Sequence, residues 1–311
     1  MKADAVFEGG GSRGVAFIGA IKAMEEANVE WIRIAGTSAG AIVATLLASG
    51  YKSDEIKEQM SVLDFSKLRG RTILNRIPLF GNILELLVHQ GIYKNDYVEK
   101  WMDSLLFKQG IRTFADLPDG KLKIIASDVS NGQILILPDD LERYMLTPAD
   151  LKISTAVMMS TCLPFFFRPV IWKTNKRKKS YILDGGLLSN FPIWIFDTEN
   201  PRFPTFGFHF VKDEINIDPI IPTPIHLFRN IFTTMLQAHD LRHLNDMTID
   251  RTIQIPTGDI STTNFDLTEQ QTSLLLQAGY DSAKAFLSTW DFKQHKDKRR
   301  QNDKKRYNTR T

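Results

Sequence analysis

A chain of 311 residues, 43% hydrophobic and 24% charged, is long enough for one large α/β domain or two small ones and can build a core without staples. Its single cysteine, Cys162, excludes an intramolecular disulfide and fits a reducing compartment. No window reaches the ~18 uncharged apolar residues of a membrane span, and the start of the chain, with Asp4 and Glu8, lacks the basic and apolar regions of a signal peptide, so a cytoplasmic protein, soluble or peripheral to a membrane, is expected.

In chain order, short β-rich runs alternate with helical patterns. "DAVF" leads into a helix from about Val15, and "WIRIAG" into a helix from Ala39. "LKIIASD", "QILILP", "SYILDGG" and "TFGFHF" come later as strands. Such alternation indicates a largely parallel sheet with helices on both faces. Further helix starts are read at Ser53, at Asn95 or Asp96, at Thr147 with Pro148 and Asp150 in the first turn, and at Thr268. The irregular apolar segment 69–92, around "NILELLVHQ", is either a core helix between loops or a mobile helix over a site.

The stretch "VFEGGGSRGVAFIGAI" places glycines at 9, 11 and 14, the spacing of a dinucleotide fingerprint. That use needs an acidic residue at the end of the second strand, where this chain has Ala35 and Gly36; a P-loop is excluded too, since the glycines lead to no Lys-Ser/Thr pair. Instead, the second strand runs into "GTSAG", Gly36 to Gly40, which opens a helix: the setting of a nucleophile elbow with Ser38 exposed at its tip and Thr37 and Ala39 beside it. Gly36 and Gly40 leave room where side chains would collide. Two glycine turns on adjacent parallel strands bring their helix N-termini together, so the Gly9–Gly14 turn can aim the amides of Gly10, Gly11 and Ser12 at an oxyanion.

The serine needs a base, and Asp184 in "YILDGGLLSNFP" ends a predicted strand at the carboxyl edge of the sheet, with Gly185 and Gly186 turning the backbone. A Ser-Asp-His order through His209 is an alternative, although His209 lies among phenylalanines on a strand that reads as core. His239 and His243 share a helical face without the Glu of a metalloprotease signature, and no metal site is expected.

These motifs resemble the patatin-like phospholipase family. Its glycine-rich turn stands here as "GGGSRG" (9–14), its elbow as "GTSAG" (36–40) and its aspartate turn as "DGG" (184–186), in family order. "GIYKNDYVEKWMDSLL" and "ISTAVMMSTCLPFFFRPV" are also similar, so the likeness spans roughly residues 5–210. The resemblance implies a three-layer α/β/α fold, a Ser38–Asp184 dyad without histidine or cofactor, an oxyanion hole in the turn of Gly9, Gly10, Gly11, Ser12, Arg13 and Gly14, and hydrolysis of acyl esters in lipids or phospholipids. Arg13 matches the family's basic position, where it orients the loop or meets a phosphate. Glu8 departs from the aspartate common there but keeps the acid. A non-catalytic lipid-binding protein on the same fold is the competing class.

Charge is uneven. Residues 293–311 hold nine Lys/Arg against Asp297 and Asp303, a net of +7 that leaves the rest at −4. The stretch reads as a basic, disordered tail behind a domain of residues 1–292. With the cluster "KTNKRKK" (173–179) and the apolar "LPFFF" (163–167), it is one of three features suited to an anionic membrane surface; nucleic acid is not expected, because the body is acidic and the basic segments lack interleaved aromatics.

Overall fold

The computed structural model describes residues 1–62, 86, 88–173, 179–211, 230–231, 234–235, 246–260, 262 and 267–297. Its centre is an eight-stranded mixed sheet flanked by helices on both sides. β1 (Lys2–Phe7), β2 (Glu30–Thr37), β4 (Leu122–Asp128), β9 (Thr205–Val211) and β10 (Thr252–Pro256) run parallel in the order β10-β9-β1-β2-β4. Antiparallel strands complete it: β5 (Gln133–Leu137) and β8 (Lys179–Asp184) both pair with β4, and β7 (Val170–Lys173) pairs with β8. A separate pair joins β3 (Gly91–Tyr93) to β6 (Phe165–Phe167).

The central strands are covered on both faces, which is why they read as nearly continuous apolar runs. Along β1, Ala3, Ala5 and Phe7 enter the large core, whereas Val6 faces a smaller cluster with Ala35, Phe191, Ile193 and Phe196. The large core is bound to α1 (Val15–Glu26) by an aromatic column: Phe7 stacks on Phe208 at 4.5 Å and Phe17 on Phe210 at 4.4 Å. Every residue of α2 (Ala39–Ala48) is buried, as expected for a helix without a polar face. Next in the chain come α3 (Ser53–Ser61), α4 (Asp96–Lys108), which begins where the Asn95/Asp96 start predicts, α5 (Ile153–Ser160) and the short α6 (Asp246–Ile249). The closing helix α7 (Glu269–Thr289) starts at the predicted Thr268, whose hydroxyl accepts from the Gln271 amide. It crosses α1 through paired glycines: a Cβ at Gly19 would overlap Leu276 O, and one at Gly279 would overlap Ala16 O.

Two expectations are corrected. No helix starts at Thr147: the Asp150 carboxylate takes the Thr147 amide at 2.8 Å and its hydroxyl at 2.7 Å, but this first turn is not continued. Lys152 then bridges to Thr113 in extended form, and α5 begins only after it. α3, by contrast, starts at Ser53 as expected, with Lys52 as its cap and Glu25 taking the Ser53 amide and hydroxyl. The expected disordered tail is helical through Asp297, with His295 buried and its ring 6.1 Å from Trp290. Residues 298–311, most of segment 69–92, the tip of "KTNKRKK" and both His239 and His243 lie outside the described residues. In "LPFFF", Phe167 is buried while Phe165 is half exposed.

Candidate active site

One strand organises the site. β4 carries β2 alongside it up to Thr37, which faces Ile125, and then β8 arriving from the opposite direction, whose last residue Asp184 faces Ala126. Two strands therefore end head to head on consecutive residues of a third. Their tips are Ser38 and Asp184, and the Ser38 hydroxyl donates to Asp184 Oδ2 at 2.7 Å.

The local backbone explains the exposure of Ser38. At φ 52° and ψ −122° it occupies a strained conformation for a residue with a side chain, held by an amide that donates to Ser160 Oγ at 2.9 Å, while Ser160 donates in turn to Ile125 O at 2.5 Å. The glycines around it are steric necessities. A Cβ at Gly36 would overlap Gly40 O, and one at Gly40 would overlap Phe7 and Glu8 carbonyl oxygens. Thr37 is buried with its hydroxyl on Ser189 O at 3.1 Å, and Ala39 starts α2, which places Ser38 at the positive end of the helix dipole.

Asp184 is 1% exposed. Desolvation pushes its carboxyl up from 3.8 to about 7, against the opposing pull of the hydrogen bonds from Ser38 and from the Gly186 amide, 2.8 Å from Oδ1. Gly185 is required because a Cβ there would overlap Ile125 O. The Asp184 amide is tied to Cys162 O at 2.9 Å. Burial, and next the Asp184 charge, push the Cys162 thiol well above its ordinary value, so it does not compete as a nucleophile.

In the glycine turn the amides divide. Gly9 N donates to Asn190 O, Ser12 N to Thr262 O and Arg13 N to Gly10 O. The Ser12 amide thus holds the turn against Thr262, while among the described residues Gly10 and Gly11 keep amides without a backbone acceptor. Gly9 lies against the nucleophile, with a position for Cβ 3.3 Å from Ser38 Cβ, and Gly14 packs similarly on Ala39 at 3.2 Å. Gly11, at φ +57°, passes under Thr262 O. Arg13 is buried, its Nε on Gly10 O at 3.4 Å and its guanidinium 4.9 Å from the centre of the Phe210 ring, so it braces the loop.

His209 stands elsewhere in the design. Its Nδ1 is 2.6 Å from Glu8 Oε2, which also accepts the Phe210 amide at 2.7 Å, while Glu8 Oε1 accepts from Asn190 Nδ2 at 3.0 Å. This buried network ties the glycine turn to β9 and to the loop after Asp184, and Ser38 meets Asp184 with no imidazole between them. Motif spacing singles out neither Asn190 nor Ser160. Asn190 does lie inside "YILDGGLLSNFP", close to a residue that the motif marks, whereas nothing in "MMSTCLP" marks Ser160 as the seat of the Ser38 amide.

Among the described residues no cluster of His, Cys, Asp and Glu is suited to a metal ion, and no helix is long and apolar enough to cross a membrane. The model of the patatin-like phospholipase family matches residues 5–197. Uncharacterized protein YqhO of Bacillus subtilis is 40% identical over 294 residues, 94% of this chain and 100% of that protein. Probable lipid hydrolase 463L of Invertebrate iridescent virus 6 is 24% identical over 278 residues, 87% of each chain. The crystal structure of VipD from Legionella pneumophila shares the fold, with a TM-score of 0.56 at 19% identity over 93% of this chain and 67% of VipD. With the family match running from β1 through the aspartate turn, the chain belongs to the patatin-like phospholipase family of lipid hydrolases.

Proposed function

We propose that this protein is a serine acyl hydrolase that cleaves fatty-acyl ester bonds of phospholipids or lysophospholipids, with Ser38 as nucleophile and Asp184 as its base. The observation that carries the reading is the 2.7 Å hydrogen bond between Ser38 Oγ and Asp184 Oδ2 at a strained strand-to-helix turn.

An aspartate at its ordinary pKa is a poor base for serine; one held near 7 is matched to neutral pH. As Ser38 Oγ bonds to the ester carbonyl carbon, its proton passes to Asp184 and the carbonyl oxygen takes up negative charge. The amides of Gly10 and Gly11 receive that charge, and losing one such donor costs about 2.7–4 kcal/mol of barrier. Collapse breaks the bond to the alcohol, which leaves with the proton from Asp184. Water then attacks the acyl-serine, giving its proton to Asp184, and the fatty acid departs as Ser38 is reprotonated.

The test is labelling of the purified protein with a fluorophosphonate and mapping of the modified peptide. Label on Ser38, its loss in Ser38→Ala and the loss of ester hydrolysis with it are expected. A folded protein that hydrolyses no ester and takes no label would be the lipid-binding alternative. Asp184→Asn should remove nearly all turnover, whereas a folded His209→Gln variant should keep most of it; the reverse pattern would restore a triad. Residues 293–311 are assigned to holding the enzyme at anionic lipid, at about 1 kcal/mol per basic residue near the surface.

A further inference from the structure

One short stretch at the end of α5 holds the main chain of both Ser38 and Asp184. The Ser38 amide donates to Ser160 Oγ at 2.9 Å, and the Asp184 amide donates to Cys162 O at 2.9 Å. Ser38 and Asp184 are 146 residues apart in the chain, so the segment Ser160–Cys162 is a common reference for the tips of two remote strands.

Ser160 is fully buried, and its hydroxyl is used in both directions. It accepts from Ser38 and donates to Ile125 O at 2.5 Å. That carbonyl lies where the two strands meet: Ile125 faces Thr37 across the β2–β4 pairing, and a Cβ on Gly185 would overlap its oxygen. The end of α5 is itself anchored. Buried Asn95, which precedes α4, donates from Nδ2 to Met158 O and to Thr161 Oγ1, each at 3.1 Å, and Thr161 Oγ1 donates to Val157 O at 2.9 Å. A hydroxyl on so firm a base can impose a conformation on what it holds. The conformation of Ser38, φ 52° and ψ −122°, is one that persists only where the surroundings enforce it. Ser160→Ala removes the acceptor of the Ser38 amide and a donor to Ile125 O in one step.

We infer that Ser160 is a positioning residue for the hydrolysis: its hydroxyl, seated on Ile125 O, holds the Ser38 backbone in the turn that keeps the Ser38 hydroxyl on Asp184. This rests on the hydrolase reading of Ser38 and Asp184. Ser160 acts through the aim of the nucleophile, so it governs turnover more than substrate binding.

The test is steady-state hydrolysis of p-nitrophenyl butyrate by Ser160→Ala, with rates expressed per site that a fluorophosphonate titrates to completion, so that unfolded protein does not count. The kcat should fall about tenfold or more while KM stays within about twofold of the parent. The midpoint of the pH–rate profile should also move upward, because the hydrogen bond from Ser38 holds the Asp184 carboxyl down and its loosening releases that hold. Ser154→Ala is the control: Ser154 is buried at the other end of α5 with its hydroxyl on Asp103 at 3.2 Å, and its loss should lower the urea midpoint while leaving kcat and the pH midpoint in place. An unchanged kcat in Ser160→Ala, a slower rate whose pH midpoint stays put, or an equal loss in Ser154→Ala overturns the proposal. If Ser160→Ala does not fold, Ser160→Cys takes its place, since sulfur is a weak donor and acceptor of similar size, and the same two shifts are expected. A parent protein that neither hydrolyses the ester nor takes the label refutes the hydrolase reading, and the role of Ser160 falls with it; an active parent with an unaffected Ser160→Ala refutes the role of Ser160 alone.

Discussion

Asp184→Asn should silence the enzyme and at the same time make the protein more stable at alkaline pH. Burial carries the carboxyl from 3.8 to about 7. Between these values the unfolded chain has released its proton while the native protein keeps it, so the native state binds more protons and stability falls as pH rises through the window. At 1.36 kcal/mol per pH unit, the buried carboxyl costs about 4 kcal/mol at pH 8 and about 2 kcal/mol at pH 5. Asparagine keeps the size and does not titrate. Whatever hydrogen bonds it loses to Ser38 or Gly186 form an offset that is the same at every pH. The unfolding free energy of the variant minus that of the parent should therefore become more positive by roughly 2–3 kcal/mol from pH 5 to pH 8. Urea titrations followed by circular dichroism at pH 5, 6, 7 and 8 measure it. A flat difference, or one that shrinks as pH rises, would mean that Asp184 is already ionised in the native protein at pH 5, and the argument for a base poised near neutrality would collapse.

Three further expectations rest on separate features. The kcat/KM for a neutral ester should climb through about pH 7 and level off above it, because Asp184 must be ionised to accept the Ser38 proton; a rate independent of pH between 5 and 8 contradicts this. Replacing Gly279 by Val forces α7 off Ala16 O of α1 and should destabilise the fold by about 1–3 kcal/mol, read as a lower urea midpoint; an unmoved midpoint would show that the two helices have slack between them. Truncation after Asp297 keeps the Trp290–His295 packing and removes seven Lys/Arg and one Asp, so co-sedimentation with anionic vesicles should weaken and lose part of its salt dependence while hydrolysis of a soluble ester persists. Undiminished binding would move the membrane contact to the folded domain.

The motifs that could be read from the chain are those whose chemistry is local. An elbow needs small residues on either side of its serine, and an aspartate turn needs glycines after it, so Gly36, Gly40, Gly185 and Gly186 announce themselves by spacing. Their supports are assembled over long separations. The amides of Gly9 and Ser12 find acceptors at Asn190 and Thr262, and that of Ser38 finds Ser160, none of which a local pattern can place. The false helix start at Thr147 has the same origin in reverse: Thr147, Pro148 and Asp150 make a sound first turn in isolation, but a bridge between Lys152 and Thr113 claims the backbone as extended chain. Likewise His295 sits in a strongly basic segment whose composition favours disorder, and is ordered through contact with Trp290.

The meeting of β2 and β8 on β4 has a consequence for when the protein becomes active. The hydrogen bond between Ser38 and Asp184 closes a loop of 146 residues, and the turn beside it is held by β9, which is later still in the chain. Contacts so distant in sequence form late, after the entropy of closing the loop has been offset by the packing of the intervening elements. During synthesis Ser38 emerges well before Asp184 and stays without its partner until β8 has docked in register on β4. On the proposed roles of Ser38 and Asp184, a nascent or half-folded chain is latent, and the appearance of fluorophosphonate reactivity during refolding should report the completion of the sheet.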